Sequence, residues 1–100
     1  MTHVEAIQDA IRTMHGCNSR HLESIPVHEM FRGKVAWKGV VEVFALEGHP
    51  QAQRCYAWGY TDHEGRRKYV TVLELPPVDS AAKAVRAYVI EEQSESKRSD

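Results

Sequence analysis

The stretch Arg54-Cys55-Tyr56-Ala57-Trp58-Gly59-Tyr60 carries three of the eight aromatic residues and one of the two cysteines of the 100-residue chain. Its odd positions are small (Cys55, Ala57, Gly59) and its even positions large and aromatic (Tyr56, Trp58, Tyr60). A period of two is that of a β-strand, and it sorts the two sets onto opposite faces. Neither face is polar, which places this strand inside a sheet with apolar residues on both sides.

On its C-terminal side, Thr61-Asp62-His63-Glu64-Gly65-Arg66 reads as a type I turn closed by a left-handed glycine. With Gly65 as a bulge, Asp62 pairs with Arg66, and Tyr56, Trp58 and Tyr60 share a face with Lys68, Val70 and Val72. Cys55, Ala57, Tyr69, Thr71, Leu73 and Leu75 then take the other face. A four-residue loop pairing Thr61 with Arg66 would instead set the aromatics against Tyr69, Leu73 and Leu75; the glycine favours the bulge. Arg67 to Leu75 is the next strand, ended by Pro76-Pro77.

On the N-terminal side, Gly48 to Ala52 is a hairpin loop and Val35 to Glu47 a long strand with Gly39 as a candidate bulge. Arg32-Gly33-Lys34 turns the chain from a strand over Glu23 to Phe31, which Pro26 assigns to a sheet edge because it has no N–H to donate. Cys17 to Arg20 reads as a polar connection. Before it, Thr2 and Glu5 form a capping box, Val4, Ile7, Ile11 and Met14 recur at helical spacing, and Gly16 suits a left-handed cap, so a helix is predicted over residues 3–15. A second helix, capped by Asp79 or Ser80, carries an apolar stripe of Ala81, Ala82, Val85, Tyr88 and Val89. From Glu91 the chain turns polar and charged, which predicts a domain over residues 1–92 and a flexible tail over 93–100. The expected fold is α+β: a two-layer, four-stranded antiparallel meander in the order α-β-β-β-β-α, with both helices on one sheet face.

At 42% hydrophobic and 27% charged, with net charge −1, the chain has no long-range pull towards nucleic acid or anionic membrane. The start Met1-Thr2-His3-Val4-Glu5 lacks the pattern of a secretory signal and no apolar run approaches a bilayer span, which implies a cytoplasmic protein with Cys17 and Cys55 as free thiols.

Chemistry-bearing clusters are sparse. His15, Cys17 and His21 form the densest metal-capable group, with His3, His28, His49, His63 and Cys55 scattered. A closed zinc site wants about four converging ligands, and a helix end accounts for the group without a metal. Cys55 has Arg54 beside it and His49 six residues earlier, yet its place on the small face of a central strand reads as a buried, inert thiol. Neither a nucleophile elbow nor a phosphate-binding glycine loop occurs, and Glu42 and Glu47 have no identifiable partner in a site. No catalytic residue, metal or cofactor is therefore assigned. Arg66-Arg67-Lys68 and Ser80 to Arg86 are the basic segments. The second resembles the second helix of double-stranded RNA-binding domains, whose helix, sheet, helix order is similar, but it has Lys83 alone where that family clusters lysines.

What remains is a surplus of apolar surface, more than two helices on one face can cover. Surfaces of that kind mark an interface or a ligand groove. The expectation is a non-enzymatic binding module that forms a homodimer or engages a protein partner, with Trp37, Phe44, Arg54, Tyr56, Trp58 and Tyr60 as interface or ligand residues. The alternatives are a small apolar ligand held on the aromatic face, with Arg54, His28 or Tyr60 as polar contacts, and nucleic acid, which the net charge disfavours.

The segments HGCNSRH (His15 to His21), ESIPV (Glu23 to Val27), WKGVVEVFALEGHP (Trp37 to Pro50), RCYAW (Arg54 to Trp58) and PPVDSAAKAVRA (Pro76 to Ala87) resemble a group of small uncharacterised bacterial proteins, some of which travel as integron gene cassettes. The resemblance implies a bacterial cytoplasmic protein of adaptive or accessory role and assigns no functional residue.

Overall fold

A computed structural model describes residues 1–98, of which 93–98 are described by backbone alone. The element order is α1 (His3–His15), β1 (Asn18–Phe31), β2 (Lys34–Glu47), β3 (Arg54–Thr61), β4 (Arg67–Leu73) and α2 (Ala81–Arg98). The four strands form one antiparallel meander, β1-β2-β3-β4, so the α+β class and the α-β-β-β-β-α order are as the sequence predicts. The backbone of α2 continues to Arg98, into the tail expected over 93–100; residues 99 and 100 lie outside the described residues. Among the described residues no helix is long and apolar enough to cross a membrane.

Local signals act as read. Thr2 Oγ1 accepts from Glu5 N–H at 3.1 Å while Glu5 Oε1 accepts from Thr2 N–H at 3.2 Å, satisfying two donors at the start of α1. Gly16 closes the helix at φ 69°, its N–H donating to the Arg12 carbonyl at 2.9 Å. In the β3–β4 turn, Gly65 has φ 82° and Asp62 N–H donates to the Arg66 carbonyl at 2.8 Å. The bulge register follows: Tyr56 pairs with Val72, Trp58 with Val70 and Tyr60 with Lys68.

The two-layer arrangement is corrected. Residues directly opposite in a ladder share a face, so Phe44 paired with Cys55 and Val43 paired with Tyr56 mark the two sides of the sheet. Ile7 and Ile11 of α1 pack with Cys17, Phe44, Cys55 and Ala57 on one side. Ala81, Ala84, Val85 and Val89 of α2 pack with Val41, Val43, Tyr56 and Trp58 on the other. The molecule is three layers, helix, sheet, helix. Side-chain size explains the assignment: large isoleucines fill the space above Cys55 and Ala57, whereas small alanines let α2 approach the bulky Tyr56 and Trp58. Burying each isoleucine contributes about 1.5–3 kcal/mol.

Two boundaries and the bulge of the β1–β2 pair also move. β1 begins at Asn18, because the polar segment expected as a connection pairs with the end of β2, Asn18 opposite Glu47. β4 ends at Leu73, where the chain turns, Leu75 N–H donating to the Leu73 carbonyl at 2.9 Å. The register breaks of the β1–β2 pair lie at His21/Glu23 and Glu29/Met30, not at Gly39. Gly39 instead gives room to Trp37, whose indole lies 3.0 Å from where a Cβ at 39 would stand.

Candidate functional site

The six residues expected at an interface do not form one surface. Phe44, Tyr56 and Trp58 are 0%, 3% and 2% exposed and belong to the core of the single chain, which corrects their reading as anchors for a second molecule. The Tyr56 hydroxyl donates to the Glu74 carboxylate, and burial, reinforced by that carboxylate, pushes its pKa well up. Trp37 is half-buried, meeting Trp58 edge-on at 5.3 Å, and Trp58 meets Tyr88 of α2 at 5.4 Å. This row fills the aromatic face with protein, where a small apolar ligand was the alternative expectation. Tyr60 and Arg54 are exposed at opposite ends of β3.

The histidine and cysteine group is likewise dispersed. His15 Nε2 bonds Thr71 Oγ1 at 2.6 Å, His21 Nε2 bonds Glu42 Oε1 at 2.8 Å, and Cys17 is buried beneath α1. Among the described residues no three histidine, cysteine or acidic side chains are grouped as a metal site would need. Cys55 is fully buried, and burial, with Cys17 nearby, pushes its thiol up to about 12, away from the thiolate a nucleophile requires. Glu42, without a partner in the sequence reading, is a buried carboxylate that accepts from Ser24 Oγ and His21 Nε2. Its neighbours make it a structural tie between β1 and β2.

The bare surface of the molecule lies elsewhere, on the β1–β2 hairpin. Both strands are fourteen residues long, whereas β3 has eight and pairs with β2 only from Glu42 to Ala45. The distal part, Lys34–Val41, splays from β3, whose residues Trp58–Thr61 pair only with β4, and its β3-side edge is unpaired by any strand among the described residues. At roughly 3.3 Å per residue this open edge is about 26 Å long. Leu46 N–H donates towards β3, to the Gln53 carbonyl at 2.9 Å, and the strand period puts the backbone N–H and C=O of Val40 and Lys38 on that same side.

One face of this ribbon is also uncovered. Glu29, Val27 and Trp37 turn towards α2 and its core, with Arg86 Nε donating to Glu29 Oε1 at 2.7 Å. The alternate residues, Pro26, His28, Met30, Val35, Lys38 and Val40, lie on the α1 side of the sheet but beyond the reach of α1. Met30, Val35 and Val40 are 51%, 55% and 49% exposed. A groove of about 300 Å³ runs between Pro26, Val27 and His28 on one strand and Lys38, Gly39 and Val40 on the other. A second apolar groove, of about 280 Å³, lies along α2 between Pro77, Val78 and Ile90; its cations are already paired, Lys83 with Asp79 at 3.0 Å and Arg86 with Glu29.

No family model, curated protein or solved structure matches the chain.

Proposed function

We propose that the protein is a non-enzymatic interaction module whose contact surface is the distal β1–β2 ribbon. The observation that carries this reading is the coincidence, on Lys34–Val41, of an open backbone edge with an uncovered apolar face. Open edges bind extended chain by strand addition: main-chain hydrogen bonds supply affinity and alternate side chains supply specificity. Native sheets with no such task cover their edges, keep them short or guard them with lysine, proline or a bulge. The proposal keeps a homodimer or protein partner as the mode of action and moves its surface from the aromatic row to the ribbon. It goes together with the accessory role in a bacterial cytoplasm that the sequence resemblance implies.

Backbone amide NMR tests it. Titration with extended peptides, and dilution of the protein itself, should perturb the amides of residues 34–41 before any others. Amides of 34–41 that stay unmoved under both treatments, in a protein that sediments as a monomer at every concentration, would overturn it.

A further inference from the structure

We infer that the occupant of the ribbon edge is an extended peptide of another protein in which an acidic and an apolar side chain stand two residues apart. This rests on the proposed interaction role and specifies the partner. The charge of the surface carries the argument. On the bare face and the turn beside it the charged groups are Arg32, Lys34 and Lys38, without an acid among them: Glu29 faces α2 and is held by Arg86, and Glu42 is buried. Neither Lys34 nor Lys38 makes an ion pair among the described residues, in contrast to Lys83 and Arg86.

Pairing β2 with β2 of a second copy about its middle would bring Lys38 of both chains together on the bare face, and like charges across a ladder are destabilising. A peptide with a carboxylate opposite Lys38 places opposite charges there instead. Residues two apart on a strand share a face, so the same peptide sets an apolar side chain against Val40, beside the groove floored by Gly39. The main chain of the peptide meets the outward N–H and C=O of Lys38 and Val40.

Two blocked peptides test this against ¹⁵N-labelled full-length protein: acetyl-Thr-Glu-Thr-Val-Thr-Val-amide and its counterpart with Lys in place of Glu. The expected result is saturable shifts confined to residues 34–41, with the acidic peptide at least about tenfold tighter, a difference of about 1.4 kcal/mol. Its affinity should fall several-fold when salt rises from about 50 to 300 mM, as exposed charge pairs are screened. Val40→Pro, which removes an outward N–H, should abolish binding. Lys38→Glu, which leaves the backbone untouched, should reverse the preference and keeps the test valid if the proline variant fails to fold. Equal binding of both peptides at 34–41 would overturn the acidic specificity while leaving the interaction role standing. A dimer that protects these amides would do the same and assign the edge to a second copy. Silence of 34–41 towards peptides and copies alike would overturn both readings.

Discussion

The indoles of Trp37 and Trp58 meet edge-on, 5.3 Å apart and inclined at 64°, at the place where β2 and β3 stop pairing. Each comes from a different strand, so the contact ties the splayed ribbon to the body of the sheet where no ladder does. Gly39 makes it possible, since a Cβ there would stand 3.0 Å from the Trp37 ring. Gly39→Ala should push the indole aside. The crowding costs about 1–3 kcal/mol, partly offset by about 0.4–1 kcal/mol from the stiffer unfolded chain. A net loss of about 1 kcal/mol in urea unfolding, with a changed near-ultraviolet circular dichroism signal from the tryptophan pair, is expected; an unchanged spectrum would contradict the role given to Gly39.

Glu42→Ala removes the acceptor shared by His21 and Ser24 and should destabilise the fold by about 1–3 kcal/mol, the cost of leaving buried polar groups unpaired. Because Glu42 and Ser24 belong to one network, Ser24→Ala and Glu42→Ala should be non-additive in a double-mutant cycle. Strict additivity in denaturant melts would show that the two side chains do not act together.

His15 sits half-buried against Thr71, with His49 6.3 Å away ring to ring. Burial, and then the neighbouring imidazole, lower its pKa below the ordinary 6.5. The folded state thus holds this proton less tightly than the unfolded chain, so the contribution is complete above 6.5 and is lost as pH falls through the lowered value. His15→Gln should flatten the decline of Tm between about pH 7 and 5 relative to the parent protein. Parallel curves for the two proteins would remove His15 as a source of acid sensitivity.

Cys55 should be silent towards thiol reagents in the folded protein at neutral pH, since its thiol is buried and shifted up to about 12. Reaction with a chromogenic disulfide should proceed only through unfolding, its rate rising with denaturant, and Cys17, also buried, should follow it. A fast phase in native buffer would show that the α1 face opens.

Ile7→Ala should cost about 2–5 kcal/mol, because it opens a void in the core that Ile7 and Ile11 form with Phe44, Cys55 and Ala57. Equilibrium unfolding by chemical denaturant measures it directly.

The bare ribbon was within reach of the sequence. A strand read over Val35 to Glu47 is too long for the aromatic strand beside it to pair along its whole length, and the excess has to go unpaired on that side. Tyr56, Trp58 and Tyr60 mask it, because side chains of their size read equally as core or as interface. The Glu42 tie was not legible, because Ser24 and His21 reach it only through a register break at His21/Glu23 that no residue there announces.

The sequence by itself determined the elements, the meander and the β3–β4 register, because these rest on local rules: a capping box at Thr2, left-handed glycines at 16 and 65, and a period of two through Cys55 to Tyr60. Only the tertiary structure decided which helix covers which face. A meander is the same object with its helices on one side or on two, and the choice turns on whether Ile7 and Ile11 fit over small sheet residues while Ala81 and Ala84 fit over large ones. With one helix spent on each face, Tyr56 and Trp58 are enclosed and the uncovered surface shifts to the face of the ribbon that lies beyond the end of α1.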